Sequence, residues 1–363
     1  MLWGSHAQAA LYYTCIVIAL ASAKEHTSKH KHTSSIEVTL IPDDEFFVVP
    51  VRIGESTLNL SIDTGSSDLW AFSSRLPPAQ RIGHNIYKPS HHAQHLDAYN
   101  FTTSYAEGTT VRGTVYKDDI KLGDLEARNS SVQAAEDVTA SFVTQTSRDG
   151  ILGLGFGNIN TVKPTPQLTF FETVKDQLET PLFATALRSE AQGAGTLDFG
   201  FIDHQKYMQD SLTYAPVNQS SGLWAIHLDG YTVGDLTSKQ FRVETAAVDT
   251  GTSVLILPNQ IVHDYYAQIP SATNDPSVNG FIFDCDDKIP DLSLKIGNYT
   301  ATIPSELMIY AELGDLNGET TCYGSLQTQD DLEFSLLGHP FLKCQYVVFD
   351  MGGTRIGLGD QVF

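Results

Sequence analysis

The stretch IDTGSSDLW, Ile62–Trp70, sets two aspartates around a run of small residues and ends in a tryptophan. Asp, Thr, Gly and Ser form turns because their side chains bond nearby backbone and Gly tolerates positive φ. Taken alone, Asp63 is a turn residue. A second stretch, AVDTGTSVLI at Ala247–Ile256, repeats the same order of apolar residue, Asp, Thr, Gly and two hydroxyl residues. Asp63 and Asp249 lie 186 positions apart. Another element keeps step with them. The Gly of Ile151–Gly153 (ILG) falls 90 residues after Asp63, and the Gly of Leu336–Gly338 (LLG) falls 89 after Asp249. Two motifs in one order at nearly one offset imply a duplicated half. Two similar lobes would bring the two Asp-Thr-Gly loops together at their interface, where ligand clefts form.

The remaining pattern favours strands. The chain has 363 residues, 41% of them hydrophobic, enough for large cores and for two lobes. Val, Ile, Tyr and Phe recur in short runs such as IEVTLI, FFVVPVRI and STLNLSI, separated by Gly, Asp and Asn. Helical spacing is confined to Thr165–Leu178 and Pro258–Ile269. The expectation is an all-β chain with a few short helices. Its expected division is a signal at 1–23, a short polar leader or propeptide at 24–37, and β lobes at 38–208 and 209–363.

The signal rests on the apolar run from Ala9 to Ala23, which ends in Ala-Ser-Ala and is short for a membrane span. It lacks Lys and Arg at its start, and an uncleaved anchor is the alternative. Secretion to the outside, or to a vacuole, follows from the signal, with no membrane attachment once it is removed. The stretch Lys24–Ser35 is polar and basic and reads as disordered. The net charge of −21, from 22 basic and 43 acidic residues, repels phosphate backbones and argues against nucleic acid as a partner. Of four cysteines, Cys15 falls in the signal. Cys285 and Cys322 can pair in a secreted protein, a closure that stabilises by about 4 kcal/mol. Cys344 is then left as a buried thiol. Asn59, Asn100, Asn129, Asn218 and Asn298 head glycosylation sequons.

Two carboxylates held close cannot both ionise easily, so they share a proton and titrate as a pair. One then takes a proton from water while the other donates to a carbonyl oxygen. Such a pair hydrolyses amides in mild acid with no acyl-enzyme and no cofactor. Thr64 and Thr250 are placed to bond across the two-fold axis. Gly65 and Gly251 let each loop approach the other.

With these residues in place, the chain resembles the pepsin-like aspartic endopeptidases, especially the secreted fungal members, from about Phe46 to Phe363. DTGSSDLW, SYAEGTTVRG, DGILGLGF, INTVKPT, VDTGTS, LLG and FLKCQYVVFD occur in family order. The resemblance implies a bilobal β fold around a cleft, a monomer, and extended protein or peptide substrates. It makes Asp63 and Asp249 catalytic, and has Ser66 and Thr252 bond their outer oxygens. It makes SYAEGTTVRG a hairpin over the cleft, with Tyr105 bonded to the Trp70 indole. Phe142 and Ile151 would wall the primary pocket.

Four departures from the family pattern stand out. The hairpin tip reads Tyr105-Ala106-Glu107-Gly108 where the family has Tyr-Gly-Asp-Gly. Ala106 should resist positive φ, and Glu107 can attract a basic side chain of the substrate. The leader is shorter than the family's prosegment, so either activation differs or the sequence is an incomplete gene product. Cys344 and His339 are unusual residues for their positions, and His339 is expected to leave catalysis untouched.

Other motifs take plainer readings. HHAQH, His91–His95, lies in a polar loop and reads as surface rather than a metal site. GLGFG, Gly153–Gly157, lacks nucleotide-loop spacing. A glycosidase also uses two carboxylates but leaves the duplicated register unexplained. The contrasting class is a pepsin-fold binding or inhibitor protein that has lost catalysis. It would be expected to break one Asp-Thr-Gly motif or the hairpin tyrosine.

Overall fold

The computed structural model describes residues 31–41, 46–106, 108–316, 319–329 and 332–363. The expected signal at 1–23, residues 24–30 of the expected leader and Glu107 lie outside the described residues. Strands dominate, as the short apolar runs require. Alternation is clean where one face meets solvent. In Ser34–Leu40, residues Ile36 and Val38 point inward while Glu37 and Thr39 point out. This strand begins inside the stretch 24–37 that reads as leader, and Ser34–Val38 pair antiparallel with Phe199–Gly195.

The first half folds around Ser56–Asp63, Leu69–Ala71, Gln94–Ser104, Thr110–Leu122, Leu125–Val138 and Gly150–Gly153. The second half builds a seven-stranded sheet that includes Lys239–Val248, Leu255–Leu257 and Ser335–Leu337, and a four-stranded one. The halves join in one antiparallel sheet. Gln345–Asp350 from the chain's end lies beside Leu182–Ala186, with Phe349 opposite Phe183. Both strands are buried along their whole length. Strands from both sides of the expected 208/209 boundary therefore share this sheet.

Aromatic rings lock the join. Phe183 stacks on Phe349 at 4.6 Å, and Phe156 lies 4.4 Å from Trp224. The Trp224 indole N–H donates to the Leu154 carbonyl at 2.9 Å. Each buried ring of this kind contributes about 2–3 kcal/mol. Such contacts fix how the loop after Asp63 faces the loop after Asp249.

The expected helix at Thr165–Leu178 is shorter in the structure. It runs Phe170–Val174 and ends in a 3-10 turn at Lys175–Gln177. Thr169 is its cap: Glu172 N–H donates to Thr169 Oγ1, and the Glu172 carboxylate accepts from Thr169 N–H. Pro164 and Pro166 hold the residues before them extended. The other helix, Asn259–Tyr266, starts directly after Pro258. Cys285 and Cys322 form a disulfide with Cα atoms 5.2 Å apart. The Cys344 thiol lies 3.2 Å from the Pro340 and Phe341 carbonyls, and burial pushes its pKa up to about 12.

Candidate active site

Each Asp-Thr-Gly loop grows from a strand arrangement that occurs twice. Ser56–Asp63 runs parallel to Gly150–Gly153, which pairs antiparallel with Leu69–Ala71. The chain leaves Asp63, loops, and returns on the far side of the ILG strand. Lys239–Val248, Ser335–Leu337 and Leu255–Leu257 repeat this in the second half. ILG and LLG thus keep register with the aspartates because each strand threads between the arms of its loop. Their glycines admit the loop backbone: a Cβ at Gly153 would lie 2.5 Å from Asp68 N, and one at Gly338 2.2 Å from Thr252 O.

The loops grip each other symmetrically. Thr64 N–H donates to Thr250 Oγ1, and Thr250 N–H to Thr64 Oγ1, both at 3.0 Å. Thr64 Oγ1 in turn donates to Val248 O at 2.7 Å, and Thr250 Oγ1 to Ile62 O at 2.9 Å. All four groups are buried, so each hydroxyl satisfies a donor and an acceptor that would otherwise be stranded.

The carboxyls sit above this grip. Asp63 Oδ1 accepts from Gly65 N–H at 2.9 Å, and Oδ2 from Ser66 Oγ at 2.5 Å. Asp249 Oδ1 accepts from Gly251 N–H at 2.8 Å, and Oδ2 from Thr252 Oγ1 at 2.6 Å. The two side chains lie within hydrogen-bonding reach. The glycines make this possible: a Cβ at Gly65 would stand 2.7 Å from the Asp249 carboxylate, and one at Gly251 2.6 Å from Asp63 Oδ1. Burial, then the charge of Asp249, raises the Asp63 pKa far above the usual carboxylate range, against the pull of Ser66 and Gly65. The pair therefore holds a proton at a pH where separate aspartates would both be ionised.

A cleft of about 750 Å³ opens over Asp63. Tyr105 stands at the end of the hairpin strand Gln94–Ser104, and its hydroxyl accepts from the Trp70 indole N–H at 2.7 Å. Phe142 packs edge-on against Trp70 at 5.1 Å and against Tyr105 at 5.8 Å. Burial, and next the Asp63 carboxylate, push the Tyr105 phenol well above its ordinary pKa, so it stays protonated. The hairpin closes with Gly108 N–H on Tyr105 O, and Gly108 carries the positive φ of +82°. Ala106 has no positive φ, so the strain expected there does not arise. Ala106, Phe142, Ile151, Gly251 and Thr252 all line the cleft.

Two residues acquire contacts that the sequence did not signal. Arg148, just before DGILG, lines the cleft between the rings of Phe46 and Phe142. His339 touches the second loop directly: its Nε2 lies 3.1 Å from Thr250 O. The His91–His95 segment is surface structure, and both His95 ring nitrogens are engaged, by Asp97 and by Thr114.

A family model described as eukaryotic aspartyl protease matches residues 46–361. Aspergillopepsin-1 of Aspergillus fumigatus is 45% identical over 318 residues, 88% of this chain and 79% of that protein. Penicillopepsin-1 of Penicillium janthinellum is 44% identical over 319 residues, 88% of this chain and 96% of that protein. Family, fold and paired loops agree, and the chain belongs to the eukaryotic aspartyl protease family as an aspartic-type endopeptidase.

Proposed function

We propose that Asp63 and Asp249 are the catalytic pair and hydrolyse peptide bonds of extended protein substrates at acidic pH. The observation that carries this reading is the reciprocal packing of the two loops, each glycine against the other loop's carboxyl. The pair holds one proton. The ionised carboxyl takes a proton from a water molecule as its oxygen attacks the scissile carbonyl carbon. The protonated carboxyl gives its proton to the carbonyl oxygen. Collapse of the tetrahedral species passes a proton to the amide nitrogen and expels the amine. Ser66, Thr252 and the glycine N–H groups keep the carboxyls oriented throughout, so little reorganisation is needed at the transition state. Tyr105 covers the substrate and limits entry of bulk water.

The substrate lies strand-like, held through its main chain, with side chains in pockets such as that of Phe142 and Ile151. The apolar start at Ala9–Ala23 supports secretion, and the acidic charge supports work on proteins rather than nucleic acid. Among the described residues, no helix is long and apolar enough to cross a membrane. The protein works as a monomer in this reading, with lobes 38–208 and 209–363 each supplying one aspartate.

The test is cleavage of a denatured protein at about pH 4, the ordinary carboxyl range, with and without pepstatin. Pepstatin-sensitive cleavage is expected, and both Asp63→Asn and Asp249→Asn should abolish it. Cleavage that survives either substitution would overturn the assignment.

A further inference from the structure

We infer that Asn298 carries an N-linked oligosaccharide, set on the tip of the hairpin formed by Leu292–Ile296 and Tyr299–Ile303. This rests on the reading above that the chain is secreted, because such glycans are attached along the secretory route. The donor is an oligosaccharide held on a polyprenyl diphosphate. A bond forms between Asn298 Nδ2 and the anomeric carbon of the first N-acetylglucosamine, and the bond from that carbon to the diphosphate oxygen breaks. Nδ2 gives up one proton, the lipid diphosphate leaves, and nothing is oxidised or reduced. Five asparagines head the pattern Asn-x-Ser/Thr, and the fold separates them.

Ile296 pairs with Tyr299, which leaves Gly297 and Asn298 as a two-residue turn. The positive φ, +59°, falls on Gly297 and not on Asn298, as a II′ turn requires. Gly297 N–H donates to Asp229 Oδ2 at 2.7 Å, which ties the turn to the neighbouring strand Ala225–Val233. Tyr299 is buried, and its hydroxyl donates to Asp360 Oδ1 at 2.6 Å. The residues on either side of it, Asn298 and Thr300, are exposed. Residues two apart on an extended chain share a face, so the acceptor amide and the hydroxyl of its sequon reach solvent together. Among the described residues, neither the Asn298 amide nor the Thr300 hydroxyl has a hydrogen-bond partner. A bulky hydrated group on Asn298 therefore displaces no native contact. Among the described residues that line the cleft, none belongs to either strand, so the glycan leaves the site open.

The other four sequons are less open. Ser61, the third residue of the Asn59 sequon, is buried, with its Oγ 3.4 Å from Gly150 O. Ser131, the third residue of the Asn129 sequon, is buried too, and Asn129 itself holds a φ of +48°. Asn100 is flanked by Thr114 on one side and by Lys163 on the other. It exchanges backbone hydrogen bonds of 3.1 and 2.9 Å with Lys163. At Asn218 the amide oxygen accepts from Ser220 N–H at 3.1 Å and from Ser220 Oγ at 2.7 Å, which folds the acceptor amide back on its own turn. Of the five, Asn298 is the one that joins a hairpin tip to an unengaged amide and an open hydroxyl.

The experiment expresses the full chain in a yeast host and treats the secreted protein with peptide N-glycosidase F in heavy-oxygen water. The enzyme leaves a labelled carboxyl wherever a glycan stood, and mass spectrometry of the peptides locates it. The label is expected at position 298 in most copies, and not at positions 59 or 129. Asn298→Gln and Thr300→Ala should each lower the mass of the untreated protein by one glycan, while Thr300→Ser should keep the glycan because it keeps the hydroxyl. An unlabelled Asn298 peptide from secreted protein overturns the inference, as does a Thr300→Ala protein of unchanged glycan content. If the chain stays inside the cell with its own start, the reading of secretion fails instead. The same chain carrying the host's signal in place of residues 1–23 then decides the acceptor by the same label: a labelled Asn298 supports the inference and an unlabelled one overturns it.

Discussion

The His339 side chain donates from Nε2 to the carbonyl of Thr250 at 3.1 Å, while its own backbone N–H donates to the Thr252 carbonyl at 2.9 Å. One residue thus holds the second Asp-Thr-Gly loop on both sides of Gly251. A carbonyl only accepts, so this contact fixes the proton on Nε2. His339 is buried, with its ring edge-on to Phe47 at 4.6 Å. His339→Phe fills the space without a donor and strands the Thr250 carbonyl, a loss of about 1–3 kcal/mol. We expect a lower melting temperature and a kcat reduced about tenfold, with KM changed less. His339→Gln, which can place an amide N–H near the same point, should restore most of kcat. Equal kcat loss in both variants would show that packing, not the hydrogen bond, is what matters.

Gly65→Ala and Gly251→Ala test the close approach of the loops. Each added methyl would stand within 2.7 Å of the opposite carboxyl, too near for any ordinary contact. The carboxyls must then separate or rotate. A displacement of this kind costs about a hundredfold in rate when it misaligns reacting groups. Both variants should therefore fold, bind substrate with modestly raised KM, and lose most of kcat. Wild-type kcat in either would sink the view that loop contact sets the geometry of the pair.

Much of this was legible in the sequence because the decisive information is repeated within one chain. Asp63 and Asp249, with ILG and LLG at matched offsets, encode a strand threaded through each loop, and the pairing is parallel in both halves. The short strands follow from alternation such as that of Ile36 and Val38. The late start of the helix at Phe170 was less legible, since the cap at Thr169 outweighs the apolar spacing upstream. Arg148 and His339 were not legible as site residues. Their surroundings come from Phe46 and from the Thr250 loop, far away along the chain, and only the folded arrangement brings those groups together.

The raised pKa of Asp63 has a consequence for stability. Its folded value stands above the unfolded value of about 3.9. Between those limits the native state binds more protons than the unfolded chain, so stability falls as pH rises. Its contribution is fully present below the unfolded pKa and is lost as pH climbs through the folded one. Asp63→Asn removes this group from the titration. Melting curves across that interval should show the variant gaining on the wild type as pH rises, by up to about 1.4 kcal/mol per pH unit. A constant difference between the two proteins would mean that Asp63 titrates normally in the fold.

Trp70 and Tyr105 offer a test of the hairpin that separates contact from bulk. The indole N–H donates to the Tyr105 hydroxyl at 2.7 Å, and Trp70 is fully buried. Tyr105→Phe strands that N–H, and Trp70→Phe takes from the tyrosine hydroxyl its donor while opening space beside Phe142. Each single change should lower kcat/KM, since the ring proposed to cover the substrate loses its anchor. In the double variant no polar group is left unpaired, so its loss should be smaller than the sum of the two by about 1 kcal/mol. Additive losses, measured on one peptide at one pH, would show that the two rings act independently and that the hydrogen bond does not hold the hairpin in place.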